Sequence, residues 1–326
     1  MTTSRSGHHG SVAYVFENNG YDSSPNDSTF KVFGGSTRLT TFDAAQQAAR
    51  VFNADRTTAE IIAQNFEGGW EITCDGFAEP PWWLAGVFGQ PSSTNISGSL
   101  YDYDYDLDND NDPVSLRLYL PTDGFSDYDY IPGAVITDCQ INQTTDSSPE
   151  TVINGFYARE PQSDNTLSPS VPDFGETSYS NRDAELLVDT DSVAAPQDTT
   201  VDIATGARDI RGFGSGDVID FVTGSWEPTV DWGKIIATDQ TVDPLSRFTG
   251  GSQVNVSLDW DNGETGGDEY SIDVDATGSF PNEWSESGRN NPEENLVEEI
   301  SEMCKDVDVT VTTDAGDSGN PPGITL

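Results

Sequence analysis

Tyr101-Asp102-Tyr103-Asp104-Tyr105-Asp106-Leu107-Asp108 alternates a large apolar side chain with a carboxylate. In an extended strand, residues two apart share a face, so Tyr101, Tyr103, Tyr105 and Leu107 make one apolar side while Asp102, Asp104, Asp106 and Asp108 line the other. Successive carboxylates then stand about 7 Å apart along the strand. Their repulsion and desolvation require that they face water or counter-ions and not a core. The stretch predicts a two-faced strand. Its acidic side is open to two readings, a solvated outer surface or a negatively charged wall.

The rest of the chain shares that acidity. It has 326 residues, with 57 Asp plus Glu against 14 Lys plus Arg and a formal net charge of −43. No broad basic surface can be built under such an excess, which argues against a phosphate-neutralising nucleic-acid binder or an anionic-membrane binder. A surface that repels DNA remains open. With 34% hydrophobic residues, among them 7 Trp, 11 Tyr and 15 Phe, the chain has enough apolar area to fold and is no acidic disordered tail. Lysine occurs only as Lys31, Lys234 and Lys305. At about 1 M salt the screening length is about 3 Å and surface repulsion becomes short-ranged, so the composition reads as that of a protein from a high-salt cytoplasm.

Most of the sequence has β texture: short alternating or β-branched segments separated by Gly, Pro, Asn and Asp. Strands are expected at 12–16, 29–33, 70–74, 115–120, 134–141, 152–158, 186–188, 200–203, 218–222, 234–238, 254–260, 270–274 and 307–312. Asn262-Gly263 is the strongest hairpin signal. Two helices are expected among them. One spans 42–52, where the sequence is Ala-rich. The other spans about 291–305, with Asn291 as N-cap, Pro292 at the first helical position, and Leu296, Ile300 and Met303 on a packing stripe. Pro80-Pro81-Trp82-Trp83-Leu84 predicts a short helical turn. A surface loop is expected at about 160–180, and a mobile tail at 314–326.

Motifs for chemistry are sparse. The cysteines, Cys74, Cys139 and Cys304, are far apart and predict packed thiols, with neither a disulfide framework nor a zinc site. His8 and His9 are the only histidines and lie in a polar N-terminal segment, which argues against a histidine triad or a two-histidine metal centre. Asp106, Asp108 and Asp110 begin an EF-hand pattern, but Asn111 and Arg117 stand where it needs Gly and Glu. Asp259, Asp261 and Gly263 begin another, and Tyr270 breaks it. The expectation is no cofactor, no specific metal and weak, non-specific cation association. Gly206, Gly212, Gly214 and Gly216 lack a P-loop lysine and read as turns. Trp82, Trp83, Trp226 and Trp232 read as core or subunit interface before carbohydrate platform. The triplets at Asn26, Asn95, Asn142 and Asn255 are sugar acceptors only if the chain is exported. The polar N-terminus, and the absence of any apolar run near the roughly 18 residues of a membrane span, predict synthesis and assembly in the cytoplasm without membrane association.

Several elements, taken in order, resemble the major tail tube protein of long-tailed, siphovirus-like viruses. They are Gly69-Trp70-Glu71-Ile72; Pro81-Trp82-Trp83-Leu84 running to Phe88-Gly89; the acidic-aromatic strand from Tyr101 to Leu107; the alternating strand 115–120; Tyr130-Ile131-Pro132-Gly133-Ala134-Val135-Ile136; Val201-Asp202-Ile203; and 212–223. The likeness covers about 70–232 and extends to the segment 291–305. It implies a mainly β fold, a β-sandwich with one flanking α-helix, whose strands contribute to the inner β-barrel of an oligomeric ring. Residues 1–69 would be an outer extension with a short helix, 70–313 the core and 314–326 a flexible tail.

On this resemblance the chain is a structural protein with no catalytic residue, forming six-fold rings (three-fold left open) that stack into a non-contractile tube conducting DNA. Its partners would be copies of itself, a tape measure protein and other tail proteins, in the virion of a virus infecting a halophilic archaeon. Asp102, Asp104, Asp106 and Asp108 would line the lumen, and Trp70, Leu84 and Phe88 would join the four tryptophans in core or interface. The alternatives are another virion component, such as a tail terminator, baseplate ring or capsid protein, and a carbohydrate-binding or carboxylate-dependent hydrolytic β-sandwich.

Overall fold

The structure, a computed structural model, describes residues 12–17, 20–23, 30–52, 58–76, 80–107, 112–121, 128–159, 161–164, 184–212, 217–236, 242–262, 270–289 and 295–316. The chain begins with β1 (Ala13–Phe16), β2 (Lys31–Val32), β3 (Gly35–Phe52) and β4 (Thr58–Asp75). A 3₁₀ turn (Trp82–Leu84) runs into α1 (Ala85–Phe88), followed by β5 (Ser92–Ser97), β6 (Leu100–Asp106), β7 (Leu116–Pro121), β8 (Tyr128–Gln143), β9 (Glu150–Phe156) and β10 (Gln162–Asp164). Then come β11 (Ala184–Val188), β12 (Asp191–Ser192), β13 (Pro196–Ala204), β14 (Arg208–Arg211), β15 (Val218–Val222) and β16 (Glu227–Ile235). The last elements are α2 (Pro244–Gly250), β17 (Val254–Asp261), β18 (Ser271–Ser287), β19 (Val297–Met303) and β20 (Asp306–Thr313). The fold is mainly β, as the alternation predicts, and the short turn at Trp82–Leu84 forms where the double proline points to it.

Antiparallel pairing builds two large sheets. The first runs β11, β17, β18, β20, β6, β5. The second runs β3, β4, β9, β8, β13, β16, β19 and ends on the C-terminal half of β18. β18 therefore passes from one sheet to the other. A smaller sheet, β2, β1, β7, β8 and β10, shares β8 with the second.

The two large sheets pack their apolar faces into one core, in the manner of a β-sandwich. The first contributes Tyr103, Tyr105, Val309, Val311, Ile272, Val274, Leu258 and Trp260; the second contributes Ile72, Ile153, Cys139, Ile141, Val201, Ile203 and Trp232. Burial of this apolar area is the main favourable term in folding. Buried indoles find acceptors: Trp260 Nε1 donates to Gln143 Oε1 at 2.9 Å and Trp83 Nε1 to the Phe33 carbonyl at 3.1 Å. Gly155 sits where a Cβ would lie 2.0 Å from the Val135 carbonyl oxygen and 2.6 Å from the Trp70 ring, so only glycine permits this approach of β9 to its neighbours.

Both expected helices are strands. Residues 42–52 belong to β3, which pairs with β4 as far as Phe52↔Thr58. Helix propensity amounts to tenths of a kcal/mol per residue, and main-chain pairing with a registered partner strand overrides it. At the second site the described part, 295–305, contains β19, held between β16 and β18; Asn291 and Pro292 lie outside the described residues. Ile300 is buried opposite Trp232 and Trp284, Leu296 is half-buried and Met303 is exposed, so the three form no stripe. The inward set is Glu298, Ile300 and Glu302, a period of two masked by its two carboxylates.

Among the described residues the α-helices are α1 and α2. Asp243 caps α2 by accepting from the Ser246 amide, Pro244 begins it, and Gly251 ends it at φ +62°. Arg247, on α2, reaches inward and binds both carboxylate oxygens of Glu302, to which Trp232 Nε1 also donates at 2.9 Å. Asn262-Gly263 does mark a hairpin between β17 and β18. Its closing bond, from the Asn262 amide to the Tyr270 carbonyl, makes the connection longer than a two-residue turn.

The proposed boundary before Trp70 falls inside β4, and Tyr14, Phe16 and Phe33 share the core with Trp70 and Ile72. The described strands β1 and β2 and the start of β3 thus belong with the core and not outside it. The expected loop at 160–180 lies largely outside the described residues, apart from β10, and so does most of the tail, 317–326. One feature does project: β4 is paired with β9 only over Gly69–Asp75, and Tyr157 holds the root of the β3–β4 hairpin by stacking on Phe42 and donating to the Asp43 carbonyl. Beyond that root the hairpin pairs with no other strand among the described residues.

Glu302→Ala would leave buried Arg247 without its counter-charge and is expected to cost about 3–5 kcal/mol. Arg38→Ala removes a pair whose side chains are 65% and 39% exposed and should cost under about 1 kcal/mol. Urea midpoints of the two variants at high salt check the ordering.

Candidate functional site

The acidic strand β6 packs as its alternation requires. Tyr103 and Tyr105 are buried, and Tyr103 meets the Trp82 ring edge-on with centroids 5.0 Å apart. Asp102, Asp104 and Asp106 therefore emerge together on the opposite side; Asp108 lies outside the described residues.

Register extends this ladder from β6 through β20 and β18 to β17. One row of paired positions reads Asp106, Asp308, Asp275, Ser257 from β6 through β20 and β18 to β17. The next reads Asp104, Thr310, Asp273, Asp259 and reaches Glu185 on β11. A third reads Asp102, Thr312, Ser271, Asp261. On the β5 side, Ser92 pairs with Asp104 and Thr94 with Asp102. These positions hold Asp, Glu, Ser and Thr, and no Lys, Arg or His. The face is a lattice of carboxylates and hydroxyls, spaced about 4.8 Å across strands and about 7 Å along them.

Hydroxyls partly solvate the carboxylates. Thr310 Oγ1 donates to Asp104 Oδ1 at 3.1 Å, Thr312 Oγ1 to Asp102 Oδ1 at 2.8 Å, and Ser257 Oγ to Asp275 Oδ1. Where like charges stand directly opposite, the proton is held more tightly. Burial first, then Asp273, Asp275 and Glu185, push Asp259 up to about 7. Burial first, then Asp306 and Asp106, push Asp308 up to about 7, and burial followed by Asp275 pushes Asp273 up to about 6. The carboxylates of Asp106, Asp306 and Asp308 lie within 4.8 Å of one another, offering three oxygens of the six to eight that calcium takes.

Of this lattice, the alternation of β6 alone places Asp102, Asp104 and Asp106 on one side, whereas Asp259, Asp261, Asp273, Asp275, Asp308 and Glu185 join them only through strand pairing. The signal was present: Leu258-Asp259-Trp260-Asp261, Ile272-Asp273-Val274-Asp275 and Asp306-Val307-Asp308-Val309 repeat the alternation of β6 in shorter form. The aromatic candidates lie elsewhere. Trp70, Trp82, Trp83, Leu84, Phe88 and Trp232 are core residues no more than 4% exposed, and half-buried Trp226 stacks on Phe88.

The outer face of the second sheet differs by carrying amides among its acids. Gln140 Nε2 donates to Asp202 Oδ2 at 2.8 Å and Asn154 Nδ2 to Asp138 Oδ1 at 3.2 Å. A hollow of about 340 Å³ on this sheet is lined by Thr200, Asp231, Gly233, Glu283, Glu299 and Ser301 among others.

Asp259, Asp273 and Asp308 hold protons in the folded chain that the unfolded chain, with carboxyls near 3.9, releases. The stability they contribute is full below about pH 4 and is lost as pH rises through 6 to 7. Denaturation midpoints at fixed salt should therefore be higher at about pH 5 than at about pH 8, and Asp259→Asn with Asp308→Asn should flatten the difference; equal midpoints in the parent chain would count against it. The chain matches no protein-family model and no curated protein.

Proposed function

We propose that the chain is a structural protein that assembles with copies of itself, its acidic sheet lining a passage for a polyanion, as the subunit of a non-contractile viral tail tube that conducts DNA. The observation that carries this reading is the lattice of carboxylates and hydroxyls that runs from β6 through β20 and β18 to β17, with no cation among its paired positions. Such a face repels phosphates and gives DNA nothing to bind, so a genome slides past without sticking. In this reading rings of the subunit stack head to tail into a tube, a heterologous contact that propagates, and closure of sheets around the ring removes their exposed edges. The protein then resides in the virion, has self and other tail proteins as partners, and catalyses no reaction.

The projecting β3–β4 hairpin supports assembly. A two-stranded hairpin is marginal on its own in water, and half of residues 42–67 (13 of 26) are hydrophobic against 34% for the chain. Another copy is the partner that would cover it. The same logic fits a tail terminator, baseplate ring or capsid protein. A carbohydrate-binding reading keeps only half-buried Trp226 of its four tryptophans, since Trp82, Trp83 and Trp232 are buried, and a hydrolytic one would draw on the opposed carboxylates of either sheet.

The test is sizing chromatography and negative-stain electron microscopy in about 1 M KCl, then in about 0.1 M, where screening reaches out to about 10 Å. Rings or tubes of uniform diameter at high salt, dissociating at low salt, are expected; a monomer at every salt would overturn the reading. Asp102→Asn with Asp104→Asn and Asp106→Asn should keep assembly yet slow DNA ejection from virions carrying it. Replacing residues 45–66 by a tight turn should leave a folded chain that no longer assembles.

A further inference from the structure

Residues 80–101 contain no Asp, Glu, Lys or Arg, the longest such run in the chain and twice the length of the next. Its first half is explained by burial, since Trp82–Phe88 lie in the core. Its second half has no such explanation. β5, Ser-Ser-Thr-Asn-Ile-Ser, is exposed at all six positions, Ile96 to 47%. Among the described residues it pairs with β6 alone, so it forms one edge of the acidic sheet.

Exposed sheet edges offer unpaired N–H and C=O groups, and proteins ordinarily blunt them with charges, prolines or very short strands. The opposite edge of the same sheet follows that rule, with β11 carrying Glu185 and the two-residue β12 carrying Asp191. β5 does not. In a chain of net charge −43, a contact made almost anywhere on this sheet presents carboxylates to the other copy, whereas one made along β5 presents only hydroxyls, an amide and one apolar side chain.

We infer that β5 is a seam at which a second copy of this chain adds a strand to the acidic sheet, by main-chain pairing along Ser92–Ser97. The carboxylate lattice on β6, β20, β18 and β17 then continues across the seam, with β5 as a charge-free spacer between the lattices of adjacent copies. This inference rests on the assembly reading above and names the contact that reading leaves open.

Ser93→Asp combined with Ile96→Asp places two charges on the edge. In about 1 M KCl this variant should keep its near-ultraviolet circular dichroism, and its assembled fraction in sedimentation velocity should fall at least tenfold. The control Ile219→Asp, on β15 at a residue 54% exposed, should assemble like the parent chain. Hydrogen exchange of the parent chain, concentrated and diluted, serves if the double variant fails to fold. Amides of residues 92–97 protected at least tenfold more in the assembled state support the seam. Assembly that is untouched by the double variant, or that leaves those amides unprotected, overturns the seam alone. A parent chain that never assembles overturns the assembly reading and the seam with it.

Discussion

Carboxylates fixed opposite one another on a β-sheet are the constraint on which the rest of this molecule depends. The apolar side chains on the other side of the same strands, from Tyr103 and Tyr105 to Val309, Val274 and Leu258, are buried in the core. A slip of one residue would exchange the two faces and drive aspartates into that core, so the register cannot relax. The acids are consequently held in rows such as Asp106, Asp308 and Asp275 whether or not their charges repel. Burial and opposed charge raise the proton affinities of Asp259, Asp273 and Asp308, the hydroxyls of Thr310 and Thr312 donate to Asp104 and Asp102, and the stability of the sheet becomes a matter of salt and pH.

Several of the chain's few cations, Arg247, Arg117 and Lys234 among them, serve the interior and the joints between elements. Arg247 meets Glu302 where α2 packs against β18 and β19, with side chains 7% and 0% exposed. Arg117 lies 3.6 Å from Glu17, whose carboxylate also accepts from the amides of Asp22 and Gly133 and from Ser115 Oγ, closing the connection after β1 onto the start of β8. Burial pushes Glu17 up to about 7 despite these donors. Lys234 is buried beside Glu298, whose charge offsets part of its desolvation. Isolated buried charges are costly and exposed ones are not. Scarce positive charge placed where a carboxylate must be buried leaves the surface acids to water and counter-ions.

This distribution separates the parts of the molecule by charge. The first sheet presents acids and hydroxyls, the second mixes acids with the amides of Gln140, Asn142 and Asn154, and β5 presents neither acid nor base. No helix among the described residues is long and apolar enough to cross a membrane. In high salt, where charge repulsion acts over a few ångströms, short-range contacts between uncharged or apolar segments decide what two such surfaces do when they meet.

The sequence by itself determined the β class, the two-sidedness of β6 and the positions of most strands, because period-two alternation is a local property set by backbone geometry. It also pointed to the turn at Trp82–Leu84 and to a hairpin after Trp260. It misled at β3, where Ala-rich propensity is weaker than pairing with β4, and at β19, where the inward residues Glu298 and Glu302 look like solvent-facing acids until Arg247, Trp232 and Lys234 are brought beside them. Only the tertiary structure decided that Asp259, Asp273 and Asp308, far from Asp102 to Asp106 in sequence, stand in the same rows. It also decided that β5 lies at an open edge. Neighbourhood across strands is fixed by register between distant segments, and no local pattern of residues encodes which strand will lie beside which.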